Sequence, residues 1–591
     1  MCYTCSMYIE KINSPSDVKS LSAQALVSLS SELRELLIKK LSVHGGHFGP
    51  NLGFVEATVA LHYVFDSPRD KIVFDVSHQT YAHKMLTGRA FAWLDESRYD
   101  DVTGFTCPAE SEHDLFTVGH TSTSVSLALG LAKSRDLKGG DGNVVAVIGD
   151  GSLSGGEALE GLNVAGELDS NFIIVVNDND MSIAKNHGGL YRTLKELRDS
   201  DGASGNNLFK AMGLEYRFVK DGNDVASLVE AFKAVKDCAK PTVVHIVTKK
   251  GCGYKFAEEN REGWHYAQPF NIDTGKPKKA GGGESYGSLS AEFLLKKMKA
   301  DKSVAVITAG TPTVLGFSKA KRDEAGCQFI DVGIAEETAT ALASGMAKNG
   351  GKPVFGVFAT FFQRCYDQVQ QDVCVDKNPA TFVVCGASVW GMKDVTHIGY
   401  YDIQMLSHIP NLVYLAPTSA EEYMAMLDWS MEQTKFPVAI RQPANGIVHS
   451  SRKTRTDYSN VNTFQIENTG RDVAVLALGD FFQLGESVVS ELKKALGVDA
   501  TLINPVYASG IDVQVLSGLK KDHRVFVTLE DGILSGGWGQ TVSAFFGAED
   551  GVKVLNYGFK KEFLDRYKVD DVLKNNRLTP ECIAEDVKRV L

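Results

Sequence analysis

The 591-residue sequence has no apolar run of 18 residues, and its first residues contain no apolar core of the kind found in secretory signals. The first absence excludes a membrane-spanning helix, and the second leads us to expect a cytoplasmic protein. Runs rich in Lys and Arg are also missing, and the formal net charge is -11. Because nucleic acids bind positively charged surfaces, we expect no nucleic-acid partner.

The 10 cysteines form no pattern typical of a metal site or a disulfide framework. Cys2 and Cys5 make a lone C-x-x-C, without the second pair or the neighbouring histidines that a zinc site needs. The other cysteines are scattered, mostly among apolar residues. We expect them to be buried, reduced thiols.

The chain does contain short, β-rich apolar runs separated by stretches with helical patterns. This alternation predicts an α/β fold with mainly parallel sheets covered by helices on both faces. The length suggests several domains. The predicted strands are 71–77, 143–150, 171–178, 213–219 and 241–249, then 303–310, 328–334, 353–360 and 380–386, and finally 471–480, 500–506 and 524–531.

Two polar stretches divide this pattern into three consecutive α/β domains. KPKKAGGGESYGS (276–288) is rich in Gly and Lys and is typical of a linker, and SSRKTRTDYSNVN (450–462) separates the second pattern from the third. We therefore predict domains at 1–280, 285–450 and 465–591.

Asp150 and Asn179 each follow an apolar strand, within GDG (149–151) and NDND (177–180). Ligands of parallel α/β sheets lie beyond the carboxyl ends of the strands, and one strand–helix–strand crossover would bring both ends into one crevice. Glycines let main-chain N–H groups approach a phosphate, and Asp and Asn oxygens suit Mg²⁺ bound jointly with phosphate. Either motif alone would be an ordinary turn. The pair favours a diphosphate–Mg²⁺ site.

GDG followed by NDN at this distance resembles the thiamine diphosphate motif, and further motifs make the resemblance more specific. In order along the chain, they resemble 1-deoxy-D-xylulose-5-phosphate synthases, relatives of transketolase, over nearly all of residues 7–591. These motifs are VHGGHFGPNLG (43–53), FDVSHQTYAHKMLTGR (74–89), ESEHDLFTVGHTSTSVSLALG (110–130), TKKGCGY (248–254), IAEETAT (334–340), TFFQRCYDQVQQDV (360–373) and THIG (396–399).

The resemblance implies a transketolase-like fold, a homodimer, and a transferase that joins pyruvate to glyceraldehyde 3-phosphate with release of CO₂. It implies thiamine diphosphate and Mg²⁺ as cofactors, and a place in isoprenoid and thiamine biosynthesis. The implied metal ligands are Asp150, Asn179 and the main-chain carbonyl of Met181. The other implied site residues are His78, Gly119, His120, Thr121, Gly151, Ser152, Asn179, Tyr254, Glu336 and Phe361 around the cofactor, and Glu336, His47, His265 and His397 in catalysis.

The residue types fit these implied roles. The cofactor must lose a proton from its thiazolium ring, and a carboxylate on its pyrimidine nitrogen favours the tautomer that can accept that proton. Glu336 is that carboxylate in the family's pattern. Histidines suit proton transfers near neutral pH. Plainer alternatives stay open: Glu336 can stabilise a helix N-terminus, His265 and His397 can be structural, and Phe361 can be a core residue.

The chain departs from the family's pattern where the acceptor's phosphate is held. Arginine binds phosphate through a charge-assisted fork that glycine or alanine cannot supply. We expect Arg364, Lys393 and Arg441 to contact the substrate instead. The departures are Gly386 and Ala444 in place of arginines, Phe358 in place of a tyrosine, Lys393 in place of an aspartate, and Pro108 in place of another arginine.

We therefore predict the synthase reaction and keep one close alternative. The alternative is a transketolase-like transfer of a two-carbon unit to a different acceptor, including an unphosphorylated one. A degenerate paralogue without activity and a component of a 2-oxo-acid dehydrogenase complex are weaker alternatives.

Overall fold

The computed structural model describes residues 7–279 and 282–591, in which the chain forms two compact units. Unit one comprises the residues up to 282 together with 333–335, and unit two comprises 283–332 and 336–591. The predicted C-x-x-C of Cys2 and Cys5 lies outside the described residues. Within the described ranges, no helix is both long enough and apolar enough to cross a membrane.

Unit one is built on one large parallel sheet. The strands of unit one are β1 (Gly46–His47), β2 (Lys71–Phe74), β3 (Val144–Gly149), β4 (Ile173–Asp178), β5 (Glu215–Val219), β6 (Thr242–Val247) and β7 (Tyr266–Ala267). The large sheet has the order β2-β3-β4-β6-β5, with every neighbouring pair parallel. β1 and β7 form a separate antiparallel pair.

Helices cover both faces of this sheet because successive strand residues point to opposite sides. In β3, Val145 and Val147 belong to one core and Ala146 and Ile148 to another. Burying each Val or Ile contributes about 1.5–3 kcal/mol. The α-helices of unit one are Pro15–Val18, Ala23–His44, Gly49–Gly53, Val55–Val64, Tyr81–Lys84, Phe91–Leu94, Ser124–Leu137, Gly156–Ala165, Leu190–Asp199, Leu208–Ala211, Val225–Val235 and Lys255–Glu259.

Unit two contains two sheets. The first has the order β12-β13-β11-β10-β8-β9 and is fully parallel, and the second has the order β14-β16-β15-β17-β18, with β14 antiparallel to its neighbour. Their strands are β8 (Val304–Thr308), β9 (Phe329–Asp331), β10 (Lys352–Phe358), β11 (Thr381–Cys385), β12 (Val413–Leu415), β13 (Val438–Arg441), β14 (Gln465–Asn468), β15 (Asp472–Ala477), β16 (Thr501–Asn504), β17 (His523–Ile533) and β18 (Lys553–Phe559).

One hydrophobic core joins the two sheets of unit two. Phe355 and Phe382 of the first sheet belong to the same buried cluster as Leu476 and Phe526 of the second. This shared core explains why the two sheets form one compact unit. The α-helices around them are Tyr286–Ala300, Lys319–Ala325, Glu336–Lys348, Ala359–Phe362, Tyr366–Gln368, Asp402–Ser407, Ala420–Glu432, Phe482–Leu496, Val513–Leu519, Trp538–Phe546, Val569–Asn575 and Pro580–Val590.

The predicted α/β fold is confirmed, and each predicted strand coincides with an observed one. The sequence analysis missed six of the described strands, β1, β7, β12, β13, β14 and β18, which are short or interrupted by polar residues. The predicted linker also ends early, because a helix begins at Tyr286 with Ser285 as its cap. The three domain boundaries stay a prediction.

The expectation of buried thiols holds for only part of the described chain. Cys365, Cys374 and Cys385 are buried, Cys327 is exposed, and the other described cysteines lie between these extremes. All of them are free thiols.

Candidate active site

Asp150 and Asn179 lie at neighbouring positions on the carboxyl edge of the unit-one sheet. Asp150 follows β3, Asn179 follows β4, and these strands pair in parallel with Gly149 opposite Asn177. The Asp150 carboxylate accepts hydrogen bonds from the Met181 main-chain N–H (2.8 Å) and the Asn186 amide (2.7 Å). The Asn179 Oδ1 atom is buried and has no hydrogen-bond donor. An orphaned buried oxygen beside a buried carboxylate fits a cation site.

Burial raises the pKa of Asp150 to about 7, and the negative charge of Asp178 adds to this rise. The carboxylate is therefore short of positive charge, which a divalent cation would supply. In the described ranges, no three His, Cys, Asp or Glu side chains are arranged to hold a metal ion. A metal here would depend on Asp150, amide and main-chain oxygens, and ligand phosphate, as Mg²⁺ commonly does.

Lys250 is a candidate site residue that the sequence analysis missed. Its side chain is buried, and its ammonium donates a hydrogen bond to the Ser182 carbonyl (2.6 Å). Burial lowers the pKa of Lys250 to about 7, while the charge of Asp150 opposes that change. A buried cation beside this crevice suits an anionic group such as a diphosphate. The available clue was its place directly after β6, the neighbour of β4.

The turn after Asp150 requires glycine. A Cβ atom on Gly151 would lie 2.9 Å from the Ser182 side chain, and one on Gly155 would lie 2.2 Å from the Ser122 hydroxyl. Ser122 donates this hydroxyl to the Ser152 carbonyl (2.8 Å). The close approach explains the glycines and places Gly151 and Ser152 in the same tightly packed turn.

The loop carrying Gly119, His120 and Thr121 is anchored at the carboxyl end of β2, next to β3. The Asp75 carboxylate accepts hydrogen bonds from the main-chain N–H groups of Ser122 (2.8 Å) and Ser124 (3.0 Å). The structure therefore brings this loop to the same sheet edge as Asp150.

Three predicted histidines of unit one form a cluster. The His47 ring lies 4.8 Å from that of His78 and 5.6 Å from that of His265, centroid to centroid. The pairing of β1 with β7 sets this arrangement by placing His47 opposite Tyr266. Burial, with the nearby Lys250 charge, holds the pKa of His265 well below 6.5. His265 is therefore a neutral imidazole, suited to accept or donate a hydrogen bond but not to act as a cation.

Tyr254, predicted to line the cofactor, lies in an aromatic cluster of unit one. Its ring packs against Phe48, Trp264 and Phe270 at centroid distances of 5.2–5.7 Å. Its hydroxyl donates to the Ile272 carbonyl (2.8 Å). Both the ring and the hydroxyl are therefore held by neighbouring residues, and the place of Tyr254 beside the cofactor stays a prediction.

In unit two, Glu336 begins the helix Glu336–Lys348, five residues after β9 ends. Its side chain is buried, and its Oε2 atom has no hydrogen-bond donor. The closest cation is the Arg364 guanidinium, whose Nη1 lies 3.9 Å from that oxygen. Burial raises the pKa of Glu336 to about 7, although Arg364 offsets part of the effect. A carboxyl group in this state can share a proton with a ring nitrogen at neutral pH.

Phe361 and His397 are brought together near the end of β10. Their rings lie 5.4 Å apart in an edge-to-face arrangement. The His397 Nδ1 atom lies 2.8 Å from a carboxylate oxygen of Asp394, a residue that was not among the predicted site residues. This contact fixes the imidazole's orientation and leaves Nε2 as the nitrogen directed elsewhere.

The predicted substrate contacts have different outcomes. Arg364 is half-buried beside Glu336, and Lys393 is exposed in the loop before Asp394. Arg441 is buried, and its guanidinium donates to the carboxylates of Asp402 (2.6 Å) and Asp531 (2.5 Å). We therefore withdraw Arg441 as a phosphate ligand, since its donors already neutralise two buried acids.

The backbone at Gly386, where the family has an arginine, suits glycine better than a larger residue. Its φ is +63°, and a Cβ atom there would lie 3.2 Å from the Phe358 ring. Both features disfavour a larger residue at this position.

Family models match three consecutive stretches that together span most of the chain. A 1-deoxy-D-xylulose-5-phosphate synthase model matches residues 9–206 and 200–248. The pyrimidine-binding domain of transketolase matches 284–446, and the transketolase C-terminal domain matches 462–583. Together they place the chain in the transketolase-like class of thiamine diphosphate-dependent transferases.

Relatives match almost end to end. The chain is 37% identical to the 1-deoxy-D-xylulose-5-phosphate synthase of Clostridium tetani, covering 97% of this chain and 98% of that one. It is 38% identical to that of Lachnoclostridium phytofermentans, covering 98% of each. The chain belongs to the 1-deoxy-D-xylulose-5-phosphate synthase family. A solved transketolase from Pichia stipitis is 17% identical, with a TM-score of 0.45, covering 95% of this chain and 96% of that one.

Proposed function

We propose that this protein condenses pyruvate with glyceraldehyde 3-phosphate, releasing CO₂ and forming 1-deoxy-D-xylulose 5-phosphate, with thiamine diphosphate and Mg²⁺ as cofactors. Near-complete alignment with relatives of that name supports the proposal. The observation with the greatest weight is the pair of buried acceptors without donors, Asn179 Oδ1 and Glu336 Oε2. Each belongs to a residue that the family's pattern assigns to a metal or cofactor contact.

Unit one would hold the charged end of the cofactor. Asp150, Asn179 and the Met181 carbonyl would ligate Mg²⁺, and the Lys250 ammonium would pair with diphosphate oxygens. Gly151 leaves room for the main chain to approach them. Because Asp150 is buried with a raised pKa, bound Mg²⁺ would stabilise its charged form.

Residues of unit two would transfer protons to and from the cofactor and the substrate. When bound, the cofactor supplies the electron sink at the carbon that takes up pyruvate. Glu336 would hold a proton at the pyrimidine nitrogen, and Phe361 would offer its face to that ring. His397, oriented by Asp394, would move a proton at a substrate oxygen. Arg364 and Lys393 would contact the acceptor.

A second candidate function uses the same cofactor with another acceptor, including an unphosphorylated aldehyde. Two observations favour it. Arg441 is already paired with two buried carboxylates, and Gly386 has a positive φ that suits glycine. Neither position can supply a cation to an acceptor's phosphate. Lys393 and Arg364 are then the candidate cations for that role.

One experiment separates the two candidates. Purified protein with thiamine diphosphate and Mg²⁺ is given pyruvate, and CO₂ release is measured with glyceraldehyde 3-phosphate, with glyceraldehyde and with no aldehyde. A steep rise with the phosphorylated aldehyde supports the synthase. An equal or larger rise with glyceraldehyde supports the second candidate. No release under any condition contradicts both.

We further propose that the protein is a cytoplasmic homodimer and that its product feeds isoprenoid and thiamine biosynthesis. The resemblance to the family supports these assignments. Sedimentation at several protein concentrations tests the dimer.

A further inference from the structure

Arg198 holds together the two acids that flank Asn179. It lies near the end of the helix Leu190–Asp199. Its Nη1 atom donates to both carboxylate oxygens of Asp178 (2.8 and 2.7 Å), and its Nη2 atom donates to Asp180 (2.7 Å). One guanidinium therefore bridges the residues immediately before and after Asn179.

Further contacts fix the same turn from other elements. The Asp178 carboxylate also contacts the His245 Nε2 atom (2.9 Å), and the other nitrogen of that ring contacts the Tyr216 hydroxyl (2.8 Å). The Asn179 carbonyl accepts a hydrogen bond from Arg261 (3.1 Å). Strands β5 and β6 thus support the turn from behind.

These contacts surround a turn with an uncommon backbone conformation. Asp180 has a φ of +57°, in the left-handed region that most residues other than glycine avoid but that aspartate adopts more readily. The contacts use the Asn179 main chain and its neighbours but not its Oδ1 atom, which keeps no donor. The network therefore orders the turn while leaving the ligand oxygen available.

We propose that Arg198 is a positioning residue, which bridges Asp178 and Asp180 so that the Asn179 side chain is presented to the metal ion bound with the cofactor's diphosphate. This inference rests on the cofactor-binding part of the proposed function. Without the bridge, metal binding would have to order the turn, and affinity would fall. Loss of a residue that orients a metal ligand typically costs 10–100-fold in metal affinity.

The test is calorimetric titration of full-length, metal-free protein with Mg²⁺ at fixed thiamine diphosphate. Lysine carries the charge of arginine but cannot form the forked bridge. We expect Arg198→Lys to weaken Mg²⁺ binding by about tenfold. At saturating Mg²⁺ and cofactor, kcat should stay within about twofold of wild type, because a positioning residue takes no part in the chemistry.

Arg135→Lys is the matched control. Arg135 is also largely buried, and its guanidinium donates to the Gly142 and Asn171 carbonyls, before the starts of β3 and β4. It therefore supports the opposite edge of the same sheet. We expect unchanged Mg²⁺ affinity in this variant. An equal loss in both variants would overturn the inference in favour of a general stability effect.

A second variant keeps the test decisive if Arg198→Lys fails to fold. The Asp180 side chain is 57% exposed, so Asp180→Asn removes the negative charge from one arm of the bridge without burying a new polar group. We expect a smaller loss of Mg²⁺ affinity, about threefold. Unchanged affinity in every folded variant, or a loss of kcat at saturation with unchanged affinity, overturns the inference. Normal binding by wild type without aldehyde-dependent CO₂ release contradicts only the proposed reaction.

Discussion

Replacing Glu336 with Gln should remove activity and change how stability depends on pH. The glutamine keeps the shape of the side chain but cannot share a proton with the cofactor's ring nitrogen. Removing a group that transfers protons typically costs about 10²–10⁴-fold in rate. We therefore expect CO₂ release from pyruvate to fall at least about 100-fold.

The size of the stability effect follows from burial. The pKa of Glu336 rises from 4.5 to about 7 because the carboxyl group is buried. At about 1.4 kcal/mol for each unit of pKa, this rise corresponds to at most about 3 kcal/mol. The folded chain keeps a proton that the unfolded chain loses, so wild-type stability falls as pH rises from 4.5 to about 7. The Gln variant lacks this loss.

Thermal unfolding of cofactor-free protein at pH 5 and pH 8 provides the assay. Unit two has about 300 residues, for which about 3 kcal/mol corresponds to about 5 °C in Tm. Part of the loss is already complete at pH 5, so about 2.5 kcal/mol remains between pH 5 and pH 8. The difference in Tm between Gln variant and wild type should therefore be about 4 °C more favourable to the variant at pH 8 than at pH 5. Comparing the two pH values cancels any constant cost of burying the amide.

Glu337→Gln is the control, because it makes the same chemical change at a half-buried neighbour and leaves the buried carboxyl group of Glu336 in place. An unchanged Tm difference between the two pH values in Glu336→Gln would falsify the buried-charge argument. Full activity in that variant would refute the assigned role.

Three further predictions test other parts of the site. Arg441→Met should lower the free energy of unfolding by about 3–5 kcal/mol, because it leaves two buried carboxylates unpaired; a normal Tm with a raised KM for the aldehyde would restore its substrate role. His397→Gln should lower kcat at least about 100-fold and Asp394→Asn about tenfold, with unchanged cofactor Kd in calorimetry; weakened cofactor binding would contradict the proton-transfer role. Lys393→Gln should raise KM about tenfold for glyceraldehyde 3-phosphate but not for glyceraldehyde; equal effects on both aldehydes would argue against a phosphate contact.

Much of the candidate cation site of unit one could be predicted from the sequence. Apolar runs identify buried parallel strands, and chain order places the ends of β3 and β4 together. The turn residues Asp150 and Asn179 then follow from their positions. Lys250 lay inside a recognised motif, but nothing in its local pattern showed that its ammonium is buried beside these residues.

The environments of individual charges could not be predicted in this way. Arg441 occupies the end of an apolar strand, where either a solvent-filled crevice or a buried acid can receive its side chain. Asp402 and Asp531, distant in sequence, decide between them. The same applies to Tyr254, whose ring packs against residues from several separate segments.

By itself, the sequence determined the α/β fold, most of the strands and the family, because hydrophobic periodicity and motif spacing are local properties of the chain. Tertiary structure alone decided which buried polar atoms have hydrogen-bond partners. It paired Arg198 with both neighbours of Asn179 and left Glu336 Oε2 buried without a donor. Residues far apart in the chain bury these groups and supply their partner charges. They thereby set the pKa values, and they decide which buried oxygens lack a hydrogen-bond donor, on which the proposed chemistry depends.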